Sequence, residues 1–230
     1  MKRWLLIGFM LLWLPSARAQ GWFRPGDAVP ESYLKVFGSK AFFSVVAIPD
    51  RIQERMDGCS YKALGGIRWD DLRYLRVLHR DNDGNAIVGE MVCHKSVANN
   101  LLLVFKELYE NHYPIERMLL VEHYGGDDEA SMRDNNTSCF NQRQITSGGM
   151  LSRHSYGLAV DINPRYNPYF RMKNGKAIVK PEESIDYLDR SAVSPYMIRK
   201  GDLCHRLFKQ HGFRWGGDWI GRKDYQHFQK

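Results

Sequence analysis

The stretch Ser152-Arg153-His154-Ser155-Tyr156-Gly157-Leu158-Ala159-Val160-Asp161-Ile162-Asn163 decides how the rest of the chain is read. His154 and Asp161 are seven residues apart. In one unbroken strand an odd spacing puts two side chains on opposite faces. Gly157 supplies the break that lets both converge. Beyond it Leu158, Val160 and Ile162 point to one side, into a core, while Ala159, Asp161 and Asn163 point to the other. A carboxylate beside a small alanine leaves room for a metal ion and its water. The run Asp224-Tyr225-Gln226-His227-Phe228 offers a third ligand in His227. Two histidines and one carboxylate with an open fourth position is the catalytic form of a zinc site. Asp224, three residues before His227, is placed to reach the water rather than the metal and to act as general base. Spacing alone does not carry this: a satisfied histidine and a capping aspartate would give the same pattern.

Working outward, Leu158–Ile162 reads as a strand, and residues 126–150 before it as a long polar loop. Arg117–His123 reads as a strand closed by Gly125-Gly126. Ser96–Tyr109 has helical periodicity, with Val97, Leu101, Val104, Phe105 and Leu108 on one face. Tyr74–His79 and Ala86–Cys93 are strand-like and flank the hairpin turn Asp81–Asn85. That turn is no calcium loop, because its twelfth place is Val92 rather than Glu. Phe42–Ile48 reads as a strand, and Asp50 opens a short helix ending near Gly58. Residues 20–40 read as an extended arm and 164–195 as irregular. Gly201–Gln210 reads as a helix stopped at His211-Gly212. Hairpins mixed with separate helices imply an α+β fold: a single domain with a mainly antiparallel sheet and flanking helices. The expected division is residues 1–19, residues 20–70 with the arm and first strand and helix, and a main domain over 71–230.

Lys2 and Arg3, the apolar run Trp4–Leu14 and Ala17-Arg18-Ala19 have the form of a signal peptide cleaved before Gln20. An uncleaved anchor is the alternative. Export to the periplasm or outside the cell follows, with no stable membrane insertion once the leader is gone. Losing Lys2, Arg3 and Arg18 lowers the formal charge from +7 to +4, which suits an anionic envelope partner. Dispersed Lys and Arg in an exported chain disfavour nucleic acid. Cys59, Cys93, Cys139 and Cys204, an even count in an exported chain, are expected as two disulfides of open pairing. His79, His94, His112, His123, His205 and His211 show no ligand spacing and are expected in structural roles.

SRHSYGLAVDIN, then WGGDW and DYQHF, resembles the D-Ala-D-Ala peptidase family of VanY, VanX and related phage endolysins, within the wider group that holds lysostaphin-like enzymes and the Hedgehog domain. The pattern SxHxxGxAxD, with an acidic residue three places before a final His, is filled at every position. The similarity runs from about Asp71 and takes in GGDDEASMRDNNTSCFNQR. It implies one zinc ion on His154, Asp161 and His227, Asp224 as acid/base, and Arg143 stabilising the oxyanion or holding substrate. Ser152 and Trp219 are the further candidates for substrate contact, and Asp218 is the competitor for the base. The implied partner is a peptidoglycan stem peptide, the implied assembly a monomer. The implied activity is a D-alanyl-D-alanine carboxypeptidase. An L-alanyl-D-glutamate endopeptidase, a non-catalytic zinc-stabilised wall-binding module and an exported toxin remain as alternatives.

Overall fold

The computed structural model describes residues 22–144, 150–191 and 193–230. The leader expected over residues 1–19 lies outside them. Among the described residues every pairing between strands is antiparallel, and the strands form three three-stranded sheets rather than one. The α+β class holds.

The frame is a long hairpin of β2 (Leu72–Arg80) and β3 (Ala86–His94), with β1 (Ser44–Val46) on its edge. Asp81 builds the turn. One of its carboxylate oxygens accepts from the backbone N–H of Asp83 and Asn85 at 3.0 and 2.9 Å, and Gly84 takes the left-handed conformation. Helix α3 (Lys95–Glu110) follows β3 directly and buries Val97, Leu101, Val104, Phe105 and Leu108 against the hairpin, as its periodicity requires. The same core takes in Val160, Ile162, Phe208, Phe213, Trp215 and Phe228 from the carboxy-terminal part, so the hairpin and the motif share one apolar interior.

Four expectations about secondary structure are corrected. Residues 20–40 are no extended arm from Trp22 on: they carry helix α1 (Glu31–Phe37), and Val29 packs with Phe42, Leu78 and Val88. Arg117–His123 is not a strand. Asn136, fully buried, accepts from Leu119 N–H at 2.8 Å and donates to its carbonyl at 2.9 Å, so a side chain takes the place of a neighbouring strand; a 3-10 turn follows at Val121–Tyr124. The expected loop over 126–150 contains helix α4 (Asp128–Arg133), capped by Asp127 through the N–H groups of Glu129 and Ala130. Residues 164–195 contain the hairpin of β5 (Tyr169–Lys173) and β6 (Lys176–Lys180), turned by Asn174-Gly175 with φ of 50° and 73°.

Further strand pairings place the site. Strands β4 (Ala159–Asp161) and β9 (His227–Gln229) pair with Asp161 directly opposite His227. Strand β8 (Arg222–Asp224) pairs with β5, and β7 (Arg214–Trp215) with β9. Helix α2 (Asp50–Met56) and helix α5 (Leu203–Gln210), capped by Asp202, match their sequence reading. The four cysteines are free and not paired. Cys93, Cys139 and Cys204 are buried among apolar side chains and act as small hydrophobes; Cys59 lies against Gly126 and is partly exposed.

Candidate metal centre

His154 sits in a 3-10 turn, Arg153–Tyr156, which starts at Ser152 and ends at Gly157 in the left-handed conformation. A Cβ on Gly157 would lie 2.5 Å from the backbone nitrogen of His94 and 3.0 Å from the carbonyl carbon of Cys93. Only glycine allows the chain to turn here against the end of β3 and enter β4. Asp161 is fixed on both sides: its backbone exchanges two hydrogen bonds with Ser138, and its neighbour across the ladder is His227. The break at Gly157 and the Asp161–His227 pairing bring three distant residues to one point.

The ligand atoms converge. His154 Nε2 lies 3.2 Å from Asp161 Oδ2 and 3.2 Å from His227 Nδ1, and His227 Nδ1 lies 2.9 Å from Asp161 Oδ1. Donors about 2.0–2.1 Å from a tetrahedral ion are separated by roughly 3.3–3.4 Å, so this spacing is close to that of a zinc site. The remaining ring nitrogens are spoken for. His154 Nδ1–H donates to the Cys139 carbonyl at 2.6 Å, and His227 Nε2–H donates to Gln229 Oε1 at 2.9 Å. These bonds select the tautomers that turn a lone pair towards the shared point. All three residues are buried.

The pocket attracts positive charge. Burial opposes a charge on His227, yet the hydrogen bond and charge of Asp161 prevail and raise its pKa to about 9. Burial also opposes ionisation of Asp161, but both imidazoles hold its carboxyl far below the usual carboxylate range. A site that binds a proton this firmly offers the same field to a cation, which would displace it.

Asp224 stands beside this cluster at the end of β8. Gly216 makes the approach possible, since a Cβ there would lie 2.6 Å from the Asp224 carbonyl, 2.8 Å from its Cβ and 3.3 Å from His227 Cβ. Burial, reinforced by the Asp161 charge, pushes the Asp224 carboxyl up to about 7, against the opposing fields of His227, Arg143 and Arg222. Its Oδ1 is buried without a hydrogen-bond partner. Asp218, the competitor, is exposed and faces Lys209 at 3.9 Å.

Arg143 is tied to the motif through its backbone, which donates to Ser155 Oγ at 2.9 Å and accepts from Ser152 N–H at 3.1 Å. Its guanidinium meets Asp128 at 2.7 Å, a partner that the sequence reading missed, while its Nε is buried without an acceptor. Ser152 accepts from His154 N–H at 3.3 Å, so its oxygen caps the turn. The Trp219 ring lies 5.3 Å from the His227 ring and forms one wall of the site. Gln229, also missed, stands two residues after His227, where a strand returns to the same face.

Residues 146–230 match the family model described as D-alanyl-D-alanine carboxypeptidase. The matched segment contains His154, Asp161, Asp224 and His227, and leaves Arg143 outside. No curated protein and no solved structure matches the chain.

Proposed function

We propose that this chain is a zinc metallopeptidase that removes the terminal D-alanine from peptidoglycan stem peptides outside the cytoplasm. The observation that carries the reading is the convergence of His154 Nε2, Asp161 and His227 Nδ1 within 2.9–3.2 Å, with both other ring nitrogens engaged. Two imidazoles and one carboxylate are the donor set of catalytic zinc, and the family match over the same residues supports peptide hydrolysis.

When bound, the ion supplies Lewis-acid activation of water and of the scissile carbonyl. The chain's own groups do the rest. Asp224 Oδ1, buried and lacking a donor, takes the proton of the attacking water and returns it to the leaving amine. A carboxyl poised near neutrality exchanges protons in both directions at little cost. Arg143, whose guanidinium Asp128 holds in place and whose Nε–H has no acceptor, is the cation available to stabilise the charge that develops on the carbonyl oxygen. Trp219 closes one side and limits water.

Metal analysis tests the ligand set. The purified chain should carry about one zinc, and His154→Ala and His227→Ala should each lose it. Full occupancy in both variants would end the proposal.

A further inference from the structure

The sheet ordered β6-β5-β8 ends at Asp224, and its remaining residues have no part in the chemistry described so far. Its register places Tyr169 opposite both Lys180 and Asp224, Arg171 opposite both Ile178 and Arg222, and Lys173 opposite Lys176. Residues directly opposed across a ladder project from the same face, as do residues two apart along a strand. One face therefore carries Arg171, Lys173, Lys176, Lys180 and Arg222 together with Asp224. Phe170, Met172, Ala177, Val179 and Lys223 project from the other.

The cations form a strip leading away from the candidate base. Four residue steps along the strand lead from Tyr169 to Lys173, about 13 Å. The near end of the strip is joined to the metal centre: the Arg222 guanidinium lies 4.7 Å from the centre of the Trp219 ring, which is 5.3 Å from the His227 ring. Lys180 is answered by Glu129 at 3.1 Å. None of the ion pairs among the described residues involves Arg171, Lys173, Lys176 or Arg222. Arg171 Nε is buried without an acceptor. Like charges directly opposite one another weaken a sheet, so Arg171 against Arg222 is a local cost that an anionic ligand would relieve.

We propose that this face binds the carboxylates of the substrate, an acidic extended peptide lying along Arg222 and Arg171, with its scissile bond between Asp224 and the three metal ligands. The inference rests on the peptidase reading. It adds that acidity of the peptide, beyond its terminal D-alanine, determines binding.

The test uses the zinc-loaded chain and its Arg171→Gln/Arg222→Gln double variant on two stem pentapeptides, one with free carboxylates and one with its D-Glu and side-chain carboxylates amidated. For the wild type, KM for the amidated peptide should exceed KM for the acidic one, and added salt should shrink the gap. In the double variant the ratio should fall to about one through a roughly three- to tenfold rise in KM for the acidic peptide. An Arg171→Lys/Arg222→Lys variant, which keeps the charge, should recover much of the ratio. An unchanged ratio in the Gln variant, or a wild-type ratio of one, would overturn the inference. Should the wild type cleave neither peptide, the peptidase reading fails by itself. Tryptophan fluorescence titration with the acidic peptide then decides the face: binding weakened in the Gln variant upholds it, and equal binding overturns it.

Discussion

Gly157→Ala perturbs the turn that carries His154 without touching a candidate ligand or the candidate base. The residue has φ of +65°, and an added Cβ would sit 2.5 Å from the His94 nitrogen and 3.0 Å from the Cys93 carbonyl carbon. The left-handed conformation costs a residue with a side chain about 1–2 kcal/mol. Forcing a methyl group against backbone that cannot swing aside adds about 1–3 kcal/mol. The sum is about 2–5 kcal/mol, which in a chain of this size lowers Tm by roughly 4–20 °C. Gly84→Ala is the internal control. Its φ is +82°, but nothing lies within 4 Å of the added atom, so only the conformational cost applies. Thermal unfolding followed by circular dichroism compares the two. The Gly157 variant should unfold several degrees below the Gly84 variant and bind zinc more weakly, because the His154 carbonyl accepts from Gly157 N–H at 3.0 Å and the turn moves as a unit. Equal midpoints for the two variants would show that close packing on β3 does not force the turn.

Asp224→Asn should keep its zinc and lose kcat by about a hundredfold to ten-thousandfold, the usual cost of a missing general base; Asp218→Asn with that phenotype would reverse the assignment. Only ionised Asp224 accepts a proton, so kcat/KM should climb as pH rises towards about 7, and a bound cation shifts that limb to lower pH; a rate that falls over this range contradicts the role. Gln229→Leu removes the acceptor that orients His227 and should weaken zinc affinity about ten- to a hundredfold in a chelator competition, with Tm of the metal-free protein nearly unchanged. Thiol titration of the native protein should modify Cys59 alone, and slowly, since burial raises its pKa; all four should react after denaturation.

The convergence of His154, Asp161 and His227 was legible from the glycine break, the alternating strand and the histidine three places after an acid only once these were joined to the family resemblance, since each is common by itself. The β2–β3 hairpin and α3 were legible from local signals, one from turn chemistry and the other from periodicity. The expected strand over 117–123 failed because an apolar run says nothing about where its backbone bonds go; here the buried amide of Asn136 satisfies them. The β5–β6 hairpin was missed although Asn174-Gly175 between strand-like runs announces it. The Asp128–Arg143 pair and the shared face of Arg171, Arg222 and Asp224 depend on tertiary pairing, which no residue spacing reports. The disulfide expectation rested on an even cysteine count and an expected export signal, and neither constrains where thiols sit in a core.

The most direct measurement is mass spectrometry of a stem pentapeptide incubated with the zinc-loaded chain, the chelated chain and the zinc-loaded His227→Ala variant. A single terminal D-alanine should be lost with the zinc-loaded chain alone. Intact peptide with zinc bound, cleavage that persists in the chelated chain, or release of a D-Glu-containing fragment instead would contradict the proposed activity.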